Sequence, residues 1–441
     1  MPTIEYAPGE IVVGLDIGTT KVCAIVGRIN EHEKVEVLGM AKTDSLGVMR
    51  GVVANIAKTV DAIEKVIKEV SEKTGAQVKK VYVGIAGQHI KSMQHRGILT
   101  RDSNDMEISR DDVKKLILDM YKLAMPPGDR IIHVLPQEFI VDHEQGIKDP
   151  VGMAGNRLEA NFHIITGQVS AAQNINRCVE KSGLEAADLV LEPLASAAAV
   201  LTDEEKEAGI ALVDIGGGTT DIAIFQNGII RHTAVIPLAG NVITDDIKEG
   251  CLIMREQAEK LKLQYGSAYA IENQESAVVS VQSLMGRKPK EISLRNLASI
   301  IQARMEEIIE LVYQEIRVSG FEKKLSGGIV ITGGGAQLKH LVQLVEFVTG
   351  MEARIGYPTE HLSKGGNEVK NPMFSTGIGL IIKGYEDIKQ RGVKSQAVVT
   401  AEVKTDAEPK LTVKSSTKKN WWETIFDKGK DFLEKDMQND Y

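Results

Sequence analysis

The chain has 441 residues, of which 43% are hydrophobic and 26% charged, with a formal net charge of −8. This is ordinary composition for a globular protein of about three domain lengths, and it excludes collagen, a disulfide mini-scaffold and wholesale disorder. The acidic balance disfavours a general nucleic-acid binder. Cys23, Cys178 and Cys251 lie far apart, form no metal-ligand spacing and read as reduced thiols. No secretory leader is expected from the first ten residues, which include Glu5 and Glu10. No uncharged apolar run approaches the ~18–20 residues that span a bilayer.

Residues 9–29 read as strand, turn, strand: Ile11–Asp16, Ile17–Lys21, then Val22–Val26. Ile56, Val60, Ile63, Val66, Ile67 and Val70 form a helical stripe between Asn55 and Lys73, which Gly75 stops. Val81–Ile85 reads as a buried strand. Residues 86–165 read as a separate small α+β unit. Its helix starts at Ser109, with Asp112 completing a capping box, and ends before Pro126. Strands are expected over Ile131–Leu135 and Glu138–Val141, either side of Pro136, and over Leu158–Ile165. Ile210–Ile224 then repeats the pattern of residues 11–25, which predicts a duplicated domain. A long helical region is expected over 240–320, a buried strand over Gly327–Thr332, and a helix from Gln337. Residues 394–419, rich in Lys, Thr, Ser and Ala, read as a flexible linker.

A strand ending in Asp-x-Gly and followed by Thr-Thr makes a tight turn whose N–H groups converge on an anion. In the first copy Gly18, Thr19 and Thr20 supply the turn, and Lys21 adds a point charge suited to phosphate. The second copy offers Gly216, Gly217, Gly218, Thr219 and Thr220. Two such turns facing each other can hold a triphosphate. Asp16 and Asp214 then sit where a bridging Mg²⁺ takes hard oxygen ligands, directly or through water. A third motif, Gly333-Gly334-Gly335, presents bare backbone to a base or ribose, and its helix end favours an adjacent phosphate. A close-packed strand–helix turn is the competing reading.

In this order the motifs resemble the actin-like ATPase superfamily, which implies ATP and Mg²⁺ as ligands. The resemblance matches Asp16–Lys21 to the first phosphate loop, Asp214–Asp221 to the second and Gly333–Gly335 to the adenosine loop. It puts Glu192, in Leu191–Ala197, on the residue that positions the attacking water. It puts Glu259 and Lys262 on the helix that touches ribose and adenine, though a solvated i,i+3 pair explains them as well. Over about residues 10–392 and the tail the chain is similar to the FtsA family of bacterial cell-division proteins. The distinguishing segments are Leu135–Asp142, Gly146–Met153 and Arg157–Ala160, which match the family's inserted subdomain. Ala239, before Gly240-Asn241, stands where the family carries a second glycine.

The resemblance implies a duplicated actin-like fold. The first half takes residues 1–85 and 166–205, with an inserted subdomain at 86–165. The second half takes 206–235 and 325–392, with an outer lobe at 236–324. A linker at 393–419 and an amphipathic helix at 420–436 follow. It also implies filament formation, contacts of the insert with later division proteins, and tethering of FtsZ, whose C-terminal peptide would meet Arg304 and Glu307. An intrahelical ion pair is the plain alternative for those two. The place implied is the cytoplasmic face of the cell membrane at the division site, with slow ATPase activity at most. A small-molecule, sugar-type kinase on the same fold is the competing function.

The tail can be read without the family. At 100° per residue Trp421, Trp422, Ile425, Phe426, Phe432 and Leu433 share an arc of about 140°, with Glu423, Asp427, Asp431 and Glu434 opposite. Lys410, Lys414, Lys418 and Lys419 precede it. Such a segment is expected to lie in the interface of an anionic membrane rather than span it.

Overall fold

The computed structural model describes residues 10–101, 107–272, 276–282, 289–363 and 366–401, with side chains through Lys389. The amphipathic helix expected at 420–436, with Trp421, Trp422, Ile425, Phe426, Phe432 and Leu433, lies outside these residues, as does the linker from residue 402 onward.

The chain begins with β1 (Val12–Ile17), β2 (Lys21–Ile29) and β3 (Val35–Asp44), a small hairpin β4 (Val48–Met49) and β5 (Val52–Val53), then α1 (Ile56–Thr74) and β6 (Lys80–Ile85). Asn55 caps α1 by accepting from Lys58 N–H, and Gly75 ends it in the left-handed conformation at φ 68°. Next come β7 (Lys91–Thr100), α2 (Arg110–Met120), β8 (Asp129–Val141), β9 (Glu144–Ile147) and β10 (Arg157–Gln168). These strands form a sheet of their own in the order β7-β10-β8-β9. Leu158, Ala160, Phe162 and Ile164 of β10 are buried on one face with Leu116 of α2. The expected capping box of Ser109 and Asp112 opens α2. Pro136 does not split β8 in two. The strand runs through it, because a bulge opposite Asn161 and Phe162 absorbs the irregularity.

The chain returns through α3 (Val169–Lys181), β11 (Glu185–Leu191), α4 (Glu192–Val200) and α5 (Asp203–Ala208). β11-β6-β1-β2-β3 form the first five-stranded sheet. β12 (Ile210–Ile215), β13 (Thr220–Gln226) and β14 (Ile229–Ile236) open the second, which β17 (Ile329–Thr332) and β18 (Ala353–Ile355) complete in the order β14-β13-β12-β17-β18. Between them lie α6 (Gly240–Gly250), α7 (Arg255–Tyr265), β15 (Val278–Val281), β16 (Lys290–Ser293) and α8 (Leu294–Val318). The expected all-helical stretch is thus broken by a two-stranded hairpin, for which the β-branched run Val278-Val279 is the local cause. β17 (Ile329–Thr332), α9 (Leu341–Thr349), β18 (Ala353–Ile355) and α10 (Ser375–Ala401) end the described chain. The linker expected from residue 393 begins later than that, since α10 continues to Ala401. Residues 393–401 contain no Gly or Pro to stop it.

One face of the first sheet packs on α1 and α3 through Ile63, Val66, Ile175 and Val179. Its other face shares a core with the second sheet, α4 and α10, joining Ile25, Ala195, Leu212 and Ile378. The second sheet's far face is covered by α6, α8 and α9. β1 and β12 are buried along their whole length, as central strands are.

Candidate functional site

β1 and β2 pair so that Asp16 faces Cys23, and β12 and β13 so that Asp214 faces Asp221. The same bond closes both hairpins. Gly18 N–H donates to Lys21 O at 2.9 Å, and Gly216 N–H donates to Thr219 O at 2.9 Å. The two turns therefore correspond as Gly18 to Gly216, Lys21 to Thr219, and Cys23 to Asp221. Matching the two Thr-Thr pairs, as the sequence suggests, is corrected by this register: Thr19-Thr20 occupy the place of Gly217-Gly218. The hydroxyls of the second pair are turned inward. Thr219 donates to Asp221 Oδ2 at 3.0 Å and Thr220 to Leu238 O at 2.8 Å. Thr19 Oγ1 accepts from Gly51 N–H at 3.1 Å.

The tips meet across the cleft. A Cβ on Gly217 would overlap the Thr20 side chain, and one on Gly218 would overlap Thr19. α6 supports the second turn from behind, with Gly240 N–H on Gly216 O at 3.1 Å and Asn241 N–H on Gly217 O at 2.8 Å. Ala239 precedes this contact at φ −163°, extended backbone that needs no glycine.

Four carboxylic side chains share this end of the cleft with Lys21. The Lys21 ammonium is bonded to Asp16. Burial opposes its charge most strongly of any one cause, but Asp16, Cys23 and Glu192 together outweigh burial and keep it protonated. Asp214 Oδ2 accepts from Ser196 Oγ at 2.6 Å and lies 3.4 Å from Thr376 Oγ1. Asp221 Oδ1 is buried without a partner. Glu192 is the first residue of α4, and its side chain lies beside Gly84. Burial, then the charges of Asp16, Asp221 and Asp214, raise the Glu192 pKa well above the usual carboxylate range. Burial raises Asp214 too, against the Ser196 hydrogen bond. Burial and then Asp214 raise Asp221 to about 7. Among the described residues no cluster forms a ready protein cage for a metal. A Mg²⁺ that keeps most of its waters needs none. The unpartnered Asp221 oxygen and the crowded carboxylates fit such a hydrated dication.

Gly333 has φ 85°, and a Cβ there would strike Asp214 Oδ1 and the backbone of Ile215. Gly335 packs as closely on Ile215, whereas Gly334 faces open space. Two of the three glycines thus pack as a close strand–helix turn does, and Gly334 leaves its backbone bare. The helix expected from Gln337 is a single 3₁₀ turn over Gly334–Gln337, and α9 starts only at Leu341. One turn carries little dipole, so its N-terminus does not supply the phosphate site expected there.

Lys262 lies 2.8 Å from Glu259, but only Glu259 is open to solvent, and Lys262 is largely buried. Lys262 Nζ donates to Gly240 O at 2.8 Å and to Thr244 Oγ1 at 2.7 Å, which ties α7 to the first turn of α6. Arg304 contacts Glu307 and also forks onto Asp246 of α6, with Nε at 2.6 Å and Nη2 at 3.0 Å. Asp246, Asp221, Ser196 and Thr376 are site neighbours that sequence reasoning did not single out. The equal seven-residue spacing of Asp16–Cys23 and Asp214–Asp221 was the available signal for Asp221.

Comparison with known proteins follows these features closely. A family model described as cell division protein FtsA matches residues 211–379, and one described as the SHS2 domain inserted in FTSA matches residues 87–166. The chain is 41% identical over 406 residues to cell division protein FtsA of Pseudomonas aeruginosa, covering 92% of this chain and 96% of that one. It is 34% identical to the Escherichia coli K12 protein of that name, covering 91% and 96%. Against the Bacillus subtilis protein it is 36% identical, covering 87% and 86%. Among solved structures, the PilM–PilN type IV pilus biogenesis complex aligns with a TM-score of 0.62 at 15% identity, over 85% of this chain and 98% of that one. MreB5 of Spiroplasma citri bound to ADP aligns with a TM-score of 0.52 at 16% identity, over 87% and 98%. These two speak for the fold alone, which is actin-like.

Proposed function

The chain belongs to the FtsA family of bacterial cell-division proteins, and on that premise we propose that it binds Mg-ATP between its two hairpin turns and tethers FtsZ to the membrane as a polymer. Family membership overturns the sugar-kinase alternative. The observation that carries the nucleotide reading is the opposition of the two turns, with Lys21 and four carboxylates gathered behind them. Lys21 and the turn N–H groups bind phosphate oxygens, and Gly334 leaves backbone bare for the nucleoside. When bound, Mg²⁺ supplies the positive charge that lets Asp214 and Asp221 ionise and that screens the triphosphate. Glu192 orients water, and catalysis is slow, since one positioned group contributes only about 10²–10⁴-fold.

Arg304 and Glu307 on α8 receive the C-terminal peptide of FtsZ, with Asp246 holding the guanidinium in place beforehand. The insert takes filament contacts and later division proteins, and self-association proceeds head to tail. Residues 420–436 lay their apolar face into the cytoplasmic leaflet of the cell membrane at the division site. Among the described residues no helix is long and apolar enough to cross a membrane.

Calorimetry of ATP binding with Mg²⁺ and with EDTA tests the nucleotide reading. The parent should bind more tightly with Mg²⁺, and Asp214→Ala should lose that difference with little change in melting temperature. Equal affinities in parent and variant would reject the cofactor assignment. An Arg304→Glu variant that binds an FtsZ tail peptide as the parent does would reject the partner site.

A further inference from the structure

The geometry points to Ser196 and Thr376 as positioning residues for Asp214: a two-hydroxyl relay, donated from α4 and α10, fixes the carboxylate that faces the cation. The inference rests on the Mg-ATP reading above and adds residues to it. Three distances close the relay: Ser196 Oγ to Asp214 Oδ2 at 2.6 Å, Thr376 Oγ1 to Ser196 Oγ at 3.0 Å, and Thr376 Oγ1 to Asp214 Oδ2 at 3.4 Å. Ser196 is 0% exposed, and Asp214 and Thr376 are 8% exposed each, so water does not compete for these bonds.

With Mg²⁺ bound, Asp214 is ionised and only accepts, so Ser196 donates to it. Its oxygen is then free to accept from Thr376, the shorter of that residue's two contacts. Each bond polarises the next. A helical serine commonly turns back to the carbonyl one turn earlier. Ser196 instead reaches out of α4 to another element. It also lies one turn after Glu192, so a single face of α4 presents both the water-orienting carboxyl and the hydroxyl that holds Asp214. With Oδ2 taken up, Oδ1 is the oxygen left, and it lies beside Gly333. The relay thus aims Asp214 at the junction of the second and third glycine motifs. Groups that orient a metal-facing carboxylate in this way set metal affinity without touching the ion.

The test is a Mg²⁺ titration of binding of a fluorescent ATP analogue to the full chain, paired with the same measurement in EDTA. Ser196→Ala should raise the half-saturating Mg²⁺ concentration about 10–100-fold. Thr376→Val should raise it less, and Thr376→Ser should restore the parental value. Affinity in EDTA should stay within about twofold for all of them, which a merely structural defect would not spare. If Ser196→Ala proves insoluble, the Thr376→Val and Thr376→Ser pair decides. Variants with the parental Mg²⁺ dependence, or with equal losses in Mg²⁺ and in EDTA, overturn the relay and leave the cofactor reading intact. A parent that binds the analogue equally with and without Mg²⁺ overturns both.

Discussion

The hairpin turns at residues 16–23 and 214–221 share a backbone and differ in chemistry. The first carries bulk and charge: Thr19 and Thr20 at the tip, Lys21 bonded to Asp16, and the neutral thiol of Cys23 in the strand behind. The second carries a bare tip of Gly217 and Gly218, then Thr219, with Asp221 in the place of Cys23. Identical turns could not meet, because two Thr-Thr tips would collide. What duplication supplied twice has been divided, so that one turn brings the cation and the other brings space and a second carboxylate. The protonation states follow the same division. Burial pushes the Cys23 thiol up to about 12, out of any working range, while Asp221 is held at about 7.

The largest expected effect comes from removing the charge. Lys21→Met should weaken ATP binding about 10–100-fold, the worth of a charge-assisted contact, and should destabilise the fold by ~3–5 kcal/mol by stranding buried Asp16. Thr219→Val at the matching position should cost less than about tenfold. Calorimetry of both variants is the check, and equal losses would end the idea of divided roles.

Next is Asp221. Burial and Asp214 raise its pKa to about 7 in the folded chain, from the 3.8 ordinary for an aspartate. The folded state therefore keeps a proton that the unfolded chain releases, and this contribution to stability is present below about pH 4 and lost as pH rises to about 7. Asp221→Asn cannot ionise. In metal-free buffer it should be more stable than the parent by roughly 2–4 kcal/mol above pH 7 and equal to it near pH 4. Melting curves across that range would show a constant offset instead if the carboxyl were not strained by burial.

Gly217→Thr makes the second tip resemble the first. Overlap with Thr20 should cost about 1–3 kcal/mol and lower ATP affinity as the tips separate. A melting temperature and an affinity unchanged from the parent would mean that the tips are not held together. The smallest effect belongs to Ala239→Gly, which should destabilise by only ~0.5–1 kcal/mol through the unfolded state, because the backbone there is already extended. A gain in stability would show that alanine strains the turn.

Local rules carried the sequence reading well where one element decides its own fate. The α1 stripe, its Asn55 and Gly75 ends, and the Ser109–Asp112 box are set by neighbours in the chain, and they stand as expected. The repeated strand-turn-strand was legible for the same reason. Alignment of the two turns was not, because hydrogen-bond register, and not residue identity, decides which positions correspond. Pro136 misled by a rule for regular ladders, which the bulge beside it in β8 evades. The Ser196–Thr376 relay and the Arg304–Asp246 fork join residues from distant elements, and nothing periodic in the chain marks such pairs.

The seat of α10 fixes an order of events during synthesis. Gly379 sits so close to Ala195 O that any side chain would strike it, and a side chain on Gly14 of β1 would likewise meet Gly377 O, though less closely. Val12, Cys23 and Ile25 of the first sheet share their core with Phe374, Ile378 and Ile381. At about 5–20 residues per second, the first strands to leave the ribosome wait on the order of 20–70 s for the helix that closes that face. Chains stalled before residue 374 should keep β1–β3 open to protease, and those released past residue 389 should not. The N-terminal half is therefore completed last, and the molecule is committed to folding as a whole.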